Sequence, residues 1–421
     1  MSSSELQYIV ELSGQQLLPV PGTNGHGPIS KHLQFLRDKA HAWFKFNTHS
    51  FETVSLPEAD GMHPVDMFLT DGHIRLWDED ENWAAIVPIL PKPSQQKFER
   101  HWSPGTLCSV PGSIICNVYM DPAQNLFAIV YAVSGGPLPW DTIFYIYLGA
   151  LNSDCIHPRA AGRTLVLPRL PGWNLIAKLK GFERHIALLR CVVAAPGTSS
   201  NNMWQLQIWD WQHSTASNLY SIEDMSQTPQ LLHSSEPDMG AMYTSDPKRR
   251  LLCITNSMTS PHRLFIISTK IFFDLGGTAA ATPIPWKCWG PSNTRIFEHM
   301  DEFKVGVRGN RVLQAFPVNE PDSVHREFIL HLMDFSPLAV TNRRGLGRVV
   351  KESSTIDIEE SGESVTTSLP YVEVVLDGKF GSDLFQLEEI WIDRDRVYLL
   401  NAKWERDNII PQSSWLEVID V

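Results

Sequence analysis

The chain has 421 residues, 43% of them hydrophobic and 10% aromatic, ample apolar material for a large core, which excludes a chain disordered throughout. A formal charge of −12 argues against a nucleic-acid partner, which needs a basic face. No run approaches the roughly 18 apolar residues of a membrane span, and Met1-Ser2-Ser3-Ser4-Glu5 lacks the basic head and apolar run of a secretion signal.

The first 47 residues read as a helical lead-in. Ser2 and Glu5 have capping-box spacing, and Leu6, Ile9 and Val10 form a short helical stripe that Ser13-Gly14 ends. After a Pro/Gly segment, Pro19 to Pro28, a second helix is expected over 29–46. There Leu33, Leu36, Ala40, Trp43 and Phe44 share one face.

From about residue 51 the hydrophobic period changes to two, and alternating runs meet at tight polar turns. These turns are Asp71-Gly72, Asp121 to Gln124, Gly181 to Arg184, Asp246 to Arg249, Gly309-Asn310 and Asp393 to Arg396. A further strand follows most hairpins: Tyr145–Leu151, Gln205–Asp210, Arg263–Ser268, Ile329–Asp334 and Leu416–Asp420. Several strands end alike, as in Leu76-Trp77-Asp78, Ile208-Trp209-Asp210, Leu332-Met333-Asp334 and Val418-Ile419-Asp420. The unit is therefore a hairpin, a loop and an outer strand ending in Asp, with that Asp read as a turn former.

Units of this size with three or four strands predict a mainly β fold, a degenerate β-propeller of about six blades behind a short N-terminal helical segment. Residues 1–47 are the lead-in and 48–421 the repeat domain; a pair of β-sandwiches is the runner-up. A propeller must tie its ends together, which predicts Phe51–Leu56 in the same blade as Trp415–Val421. Gly276 to Pro285 reads as a flexible insertion and Lys351 to Ser368, rich in Ser, Thr, Asp and Glu, as an exposed loop.

Chemistry-bearing patterns are sparse. Six scattered cysteines without a CxxC pair favour a reducing compartment, cytoplasm or nucleus. Cys155-Ile156-His157 puts two metal-type ligands on one strand face, but no second close pair completes a set, so no metal site is expected. No nucleophile elbow, HExxH, P-loop or GxGxxG occurs, so neither a cofactor nor a catalytic residue is assigned. Glu388-Glu389 and Asp393/Asp395 are carboxylates that a propeller channel alone could set against partners. Gly72-His73 lies too close to Trp77-Asp78, and is unrepeated, so the Trp-Asp pairs do not make a regular WD40 protein. Most tryptophans, including those of Met203 to Trp211 and Trp286 and Trp289, are expected between blades. The candidate interaction surface is Trp43 with the basic loop Arg343, Arg344 and Arg348, because Trp and Arg are enriched in binding hot spots.

The stretch Ser4-Glu5-Leu6-Gln7-Tyr8-Ile9-Val10-Glu11-Leu12, followed by Leu33-Gln34-Phe35-Leu36-Arg37-Asp38-Lys39-Ala40-His41-Ala42-Trp43, resembles the segment just after the F-box in basidiomycete fungal F-box proteins. Gly290-Pro291-Ser292-Asn293-Thr294-Arg295, Gly309 to Gln314, Met333-Asp334-Phe335-Ser336-Pro337, Ser368-Leu369-Pro370-Tyr371 and Trp391-Ile392-Asp393 extend the likeness over nearly the whole chain. The resemblance implies the substrate-recognition part of a cullin-type ubiquitin-ligase receptor. The F-box itself is not evident in this chain, so no adaptor-binding residue carries over.

The expected function is thus a non-enzymatic protein-interaction module with protein partners, and with a ubiquitin-ligase adaptor only where an F-box is present. The alternatives are a propeller-scaffold enzyme, glycosidase-like or quinoprotein-like, and a scaffold unrelated to ubiquitin. Converging carboxylates in a central funnel would favour the enzyme.

Overall fold

The computed structural model describes residues 3–20, 28–45, 51–56, 66–91, 96–134, 142–167, 177–182, 184–192, 203–213, 217–222, 229–232, 242–256, 262–274, 284–300, 303–318, 327–341, 345, 347–358, 363–381, 385–393, 395–403 and 413–421. Six antiparallel sheets of four or five strands occur among them, and each forms one blade, named here by its strands from the innermost outwards. Blade 1 is Asp66–Thr70, His73–Asp78, Trp83–Pro88 and Arg100–Trp102; blade 2 is Ser113–Asp121, Leu126–Ser134, Thr142–Ala150 and Thr164–Val166. Blade 3 is Ala177–Phe182, His185–Val192, Met203–Asp210 and Ser217–Ile222; blade 4 is Pro229–Leu232, Leu251–Asn256, His262–Ser268 and Thr294–His299. Blade 5 runs Lys304–Arg308, Arg311–Pro317, Phe328–Asp334 and Tyr371–Val375, with Arg348–Val350 as a fifth, outermost strand. Blade 6 is Gln386–Ile392, Arg396–Lys403, Ser413–Asp420 and Glu52–Ser55.

The last blade closes the ring as the sequence predicts. Glu52 to Ser55 pair antiparallel with Val418 to Trp415, so a strand from the start of the chain completes the sheet begun near its end. Closure is also visible in the core, since one apolar cluster lies between each pair of neighbouring blades. Trp209 and Trp211 are buried between blades 2 and 3, Trp286 and Trp289 between blades 3 and 4, and Leu69, Trp391 and Tyr398 where blade 6 meets blade 1. A single such sheet has two apolar faces and no way to bury both; radial stacking covers them and leaves only short edges.

All six turns read from the sequence lie ahead of a second strand and mark one face of the ring. The outer strands that follow the hairpins are the third of their blades, with a fourth paired outside each of them, and Leu76-Trp77-Asp78 ends a second strand. The terminal Asp is more than a turn former. It bridges to an arginine at the start of the second strand in three blades: Arg184 to Asp210 at 3.2 Å, Arg311 to Asp334 at 3.2 Å and Arg396 to Asp420 at 2.9 Å. Antiparallel pairing sets these positions side by side, which a linear reading does not show.

The expected exposed loop over Lys351–Ser368 is instead largely an ordered hairpin, Ser354–Ile358 with Glu363–Thr367. Its Ile356 and Val365 rest on the cluster holding Trp286 and Trp289, and the Ile296 N–H donates to Thr367 Oγ1 at 3.2 Å. Polar composition had concealed the two apolar contacts. Of the other insertion, residues 276–283 lie outside the described residues.

Helix α1 (Ser3–Gly14) and helix α2 (Ile29–Trp43) rest on the turn-bearing face beside blades 4 and 5. Helix α2 buries Leu33, Leu36, Ala40 and Trp43, the stripe read from the sequence. Glu11 and Arg37 join the helices at 2.9 Å. Leu17–Pro19 pairs with Tyr243–Ser245, and Asn310 Nδ2 donates to the Gln15 carbonyl at 3.4 Å. Gly309, at φ +56°, makes the adjoining turn, where an added Cβ would lie 2.7 Å from Ser245 Oγ. Gly309→Ala is therefore expected to cost about 1 kcal/mol, read as a lower urea midpoint at unchanged slope.

Candidate functional site in the central channel

The innermost strands place polar side chains at one recurring position. Four residues before the strand end stand Asp66 in blade 1, Asn117 in blade 2, Lys178 in blade 3 and Lys304 in blade 5. In blade 6 a β-bulge between Leu387 and Glu389 shifts the register by one residue. Beyond that bulge the register runs unbroken from Glu389, paired with Leu400, to Ile392: Ile390 and Ile392 face blade 5 while Trp391 faces blade 1, and Glu389, on the Trp391 side, takes the equivalent position. Lys180, two residues along from Lys178, lies with its ammonium 4.9 Å from the centre of the Phe68 ring, whose blade is not its neighbour. Lys178 likewise reaches within 5.9 Å of the Trp77 ring in blade 1. Only the shared axis of the ring lets blade 3 touch blade 1 in this way.

The charges of this cluster act on one another. Burial pushes the Lys180 ammonium below its usual range, and the negative fields of Asp66 and of Glu389, from the opposite blade, partly offset this. Burial raises the Glu389 carboxyl from 4.5 to about 7, against the pull of Lys304 and of the Ile390 N–H; Asp66 and Glu388 push it the same way as burial. The carboxyl is partly accessible by area yet ringed by protein. Arg75 forms one wall: it donates to the Met120 carbonyl and lies 4.3 Å from the Phe68 ring centre and 5.4 Å from that of Tyr119. Asn117 Oδ1 accepts from the Leu179 N–H at 2.9 Å, tying blade 2 to blade 3 beside the cluster. Ammonium groups that start from blade 3 thus end against rings of blade 1, intermingled with the carboxylates of blades 1 and 6.

The residues singled out in the sequence fare differently. Trp43 is only 1% exposed, in the cluster between blades 5 and 6, with the Arg311 guanidinium 5.0 Å above its ring. It is corrected from surface to core, because its neighbours on the helical stripe all turn towards the propeller. Arg343 and Arg344 lie outside the described residues. Arg348 is exposed on the outermost strand of blade 5 and donates to Glu373 at 2.6 Å, whose other oxygen meets His331 Nδ1 at 3.1 Å. His331 and then Arg348 pull the Glu373 carboxyl down to about 2 against its burial. In the Cys155/His157 pair, Cys155 is exposed, while the His157 ring nitrogens meet the Gln124 carbonyl at 2.9 Å and the Arg159 N–H at 3.2 Å. His157 is thereby a loop-fixing residue.

Glu389 was noticed in the sequence only as one of two adjacent carboxylates. Asp66, Lys178, Lys180 and Lys304 were missed. The available signal was a charged residue recurring within the first strand of several hairpins, three to five positions ahead of the turn.

The strand order, the closing strand and the six interblade clusters define the chain as a six-bladed β-propeller with two helices docked on one face. No family model matches it, and no curated protein does. Among solved structures it is similar to the β-propeller domain of the Trilobed protease from Pyrococcus furiosus, at 10% identity over 74% of this chain and 71% of that one, with a TM-score of 0.37. It is also similar to the WD40 domain of SCAP from fission yeast, at 9% identity over 87% of this chain and 82% of that one, with a TM-score of 0.30. What makes the chain a propeller is its own strand order and closure; overlaps this loose say nothing of its function. No described helix is long and apolar enough to cross a membrane.

Proposed function

We propose that this chain is a non-enzymatic protein-interaction module of the cytoplasm or nucleus, serving as the substrate-recognition part of a cullin-type ubiquitin-ligase receptor. The ligase role follows the sequence resemblance. The interaction role is supported by one observation, the inverted face of helix α1. Its Leu6, Ile9 and Val10 are 53%, 47% and 47% exposed, while the one described residue it buries is the charged Glu11. An apolar stripe of this kind facing water, at i, i+3 and i+4, is what a docking helix presents. Beside it a cavity of about 550 Å³ opens between Leu6, Val10, Phe44 and Leu338.

Leu6→Asp with Val10→Asp is expected to abolish recovery of the proteins that co-purify with the tagged parent chain from fungal extract, with the melting temperature unchanged. Equal recovery by variant and parent would remove this face from the interaction. Asp66 and Glu389, close enough across the channel for the field of the one to act on the other, favour a second reading, a propeller-scaffold enzyme, since glycoside hydrolysis uses two facing carboxyls. Turnover of a chromogenic glycoside that Glu389→Gln removes would put that reading first.

A further inference from the structure

We propose that the cavity between helix α1, helix α2 and the helical turn Pro337–Val340 is a binding site for a small amphipathic acid, an apolar body with one carboxylate. The carboxylate lies on the Arg311 guanidinium, and the body against Leu6, Val10, Phe44 and Leu338. The site shares Leu6 and Val10 with the docking face of helix α1, but its ligand is held through Arg311 and needs no protein partner.

Three observations carry it. First, the Arg311 guanidinium is fixed in place and still has donors to give. Antiparallel pairing sets Arg311 beside Asp334, whose carboxylate accepts from Nε at 3.2 Å, and the Trp43 ring lies 5.0 Å from the guanidinium carbon. Nη1 and Nη2 donate to no described residue and are not sealed from solvent. A guanidinium held through Nε and one face presents a preformed fork to a carboxylate. The Ser336 hydroxyl lines the same wall; it accepts from the Ala339 N–H at 3.4 Å and donates to no described residue. The equivalent bridges of blades 3 and 6 are more open to water. There the side chains of Asp210 and Asp420 are 23% and 81% exposed, against 3% for Asp334.

Second, the cavity has the size and lining of a small-molecule site. It holds about 550 Å³, with apolar walls from the two helices and the turn, and with Arg311, Asp334 and Ser336 on the propeller side. Such sites are clefts of about 300–1,000 Å³ with mostly apolar walls and a few fixed polar groups. Helix α1 packs directly on the turn at Gly14, where an added Cβ would lie 2.7 Å from Leu338 Cβ.

Third, the head end is cationic. A narrower crevice of about 70 Å³ shares Arg311, Asp334 and Ser336 with the cavity, and Lys39, Arg250 and Arg308 line it too. Asp393 answers Arg308 at 3.0 Å, and Glu11 in the cavity wall answers Arg37 at 2.9 Å. Five lysine or arginine cations thus stand against three carboxylates, which favours an acidic head over a basic one.

The test is isothermal titration calorimetry of the full chain with octanoate and phenylbutyrate. Acetate is the probe for the head alone and octanol for the body alone. An apolar tripeptide with a free carboxyl terminus represents the other source of the same head. At least one of the two acids is expected to bind with a Kd below about 1 mM, and acetate, octanol and the tripeptide at least about tenfold more weakly. Arg311→Lys keeps the charge without the fork; it is expected to weaken the acid about tenfold and to leave octanol unchanged. A merely structural role of Arg311 would lower the melting temperature without separating acid from alcohol. Ala339→Phe fills the cavity from the short turn and is expected to weaken the acid about tenfold or more, with the circular dichroism spectrum of the parent. Binding of neither acid would overturn the proposal. So would octanol binding as tightly as octanoate, or acid affinity unaltered in both variants. A tripeptide binding as tightly as the better acid would overturn it as well, by making this a site for a chain terminus.

Discussion

Trp43→Ala is expected to destabilise the protein by about 3–5 kcal/mol, the range for emptying a buried aromatic site. The indole is 1% exposed and shares a cluster with Leu313, Leu330, Ile390 and Val397, so its loss leaves a cavity where helix α2 closes the seam between blades 5 and 6. The Arg311 guanidinium, stacked on that ring and bridged to Asp334, loses one of its two supports. Urea denaturation followed by fluorescence and circular dichroism measures the effect as a lower midpoint. Phe35→Ala, on the exposed side of the same helix, is the comparison, expected within about 0.5 kcal/mol of the parent. If Trp43→Ala kept the parental midpoint while losing a partner, the indole would be a recognition residue after all.

Glu389→Gln is expected to stabilise the protein above neutral pH and to be neutral in acid. The carboxyl's folded pKa is raised from 4.5 to about 7, chiefly by burial. A raised acid favours the folded state most where it is protonated, so its contribution is full below pH 4.5, fades as pH rises and is gone above about 7. Glutamine keeps the shape without the charge and so avoids that loss. The shift would correspond to about 3 kcal/mol for a group sealed from water, and partial access from the channel brings the expected gain to about 1–2 kcal/mol at pH 8. Melting curves of parent and variant at pH 5 and pH 8 decide it. A variant that gains nothing at pH 8 would mean that Lys304 and channel water already hold the ionised carboxylate in comfort.

Much of the architecture was legible in the residues. The switch from helical to alternating period near residue 51, the six polar turns and the need to join the chain ends led to the blade number and to the pairing of Phe51–Leu56 with Trp415–Val421. These features are local or topological, and hydrophobic periodicity with turn chemistry reports them directly. The stripe of helix α2 was legible for the same reason. Its role was not: Trp43 looked like a hot spot because composition cannot say which side of an apolar face is already covered.

The sequence by itself determined a closed β-repeat fold, the strands that close it and the near absence of local chemical motifs. Only the tertiary structure decided which charges meet. Asp66, Lys178, Lys180, Lys304 and Glu389 are dispersed over more than 300 positions of the chain, each an ordinary charge on its own strand. They become one cluster because radial stacking brings every first strand to a common axis. The same holds for the arginine–aspartate bridges at the strand ends and for the inverted face of helix α1. Sequence periodicity tells which side chains share a face; which face water reaches, and which charge answers another across the ring, are set by packing between residues far apart in the chain.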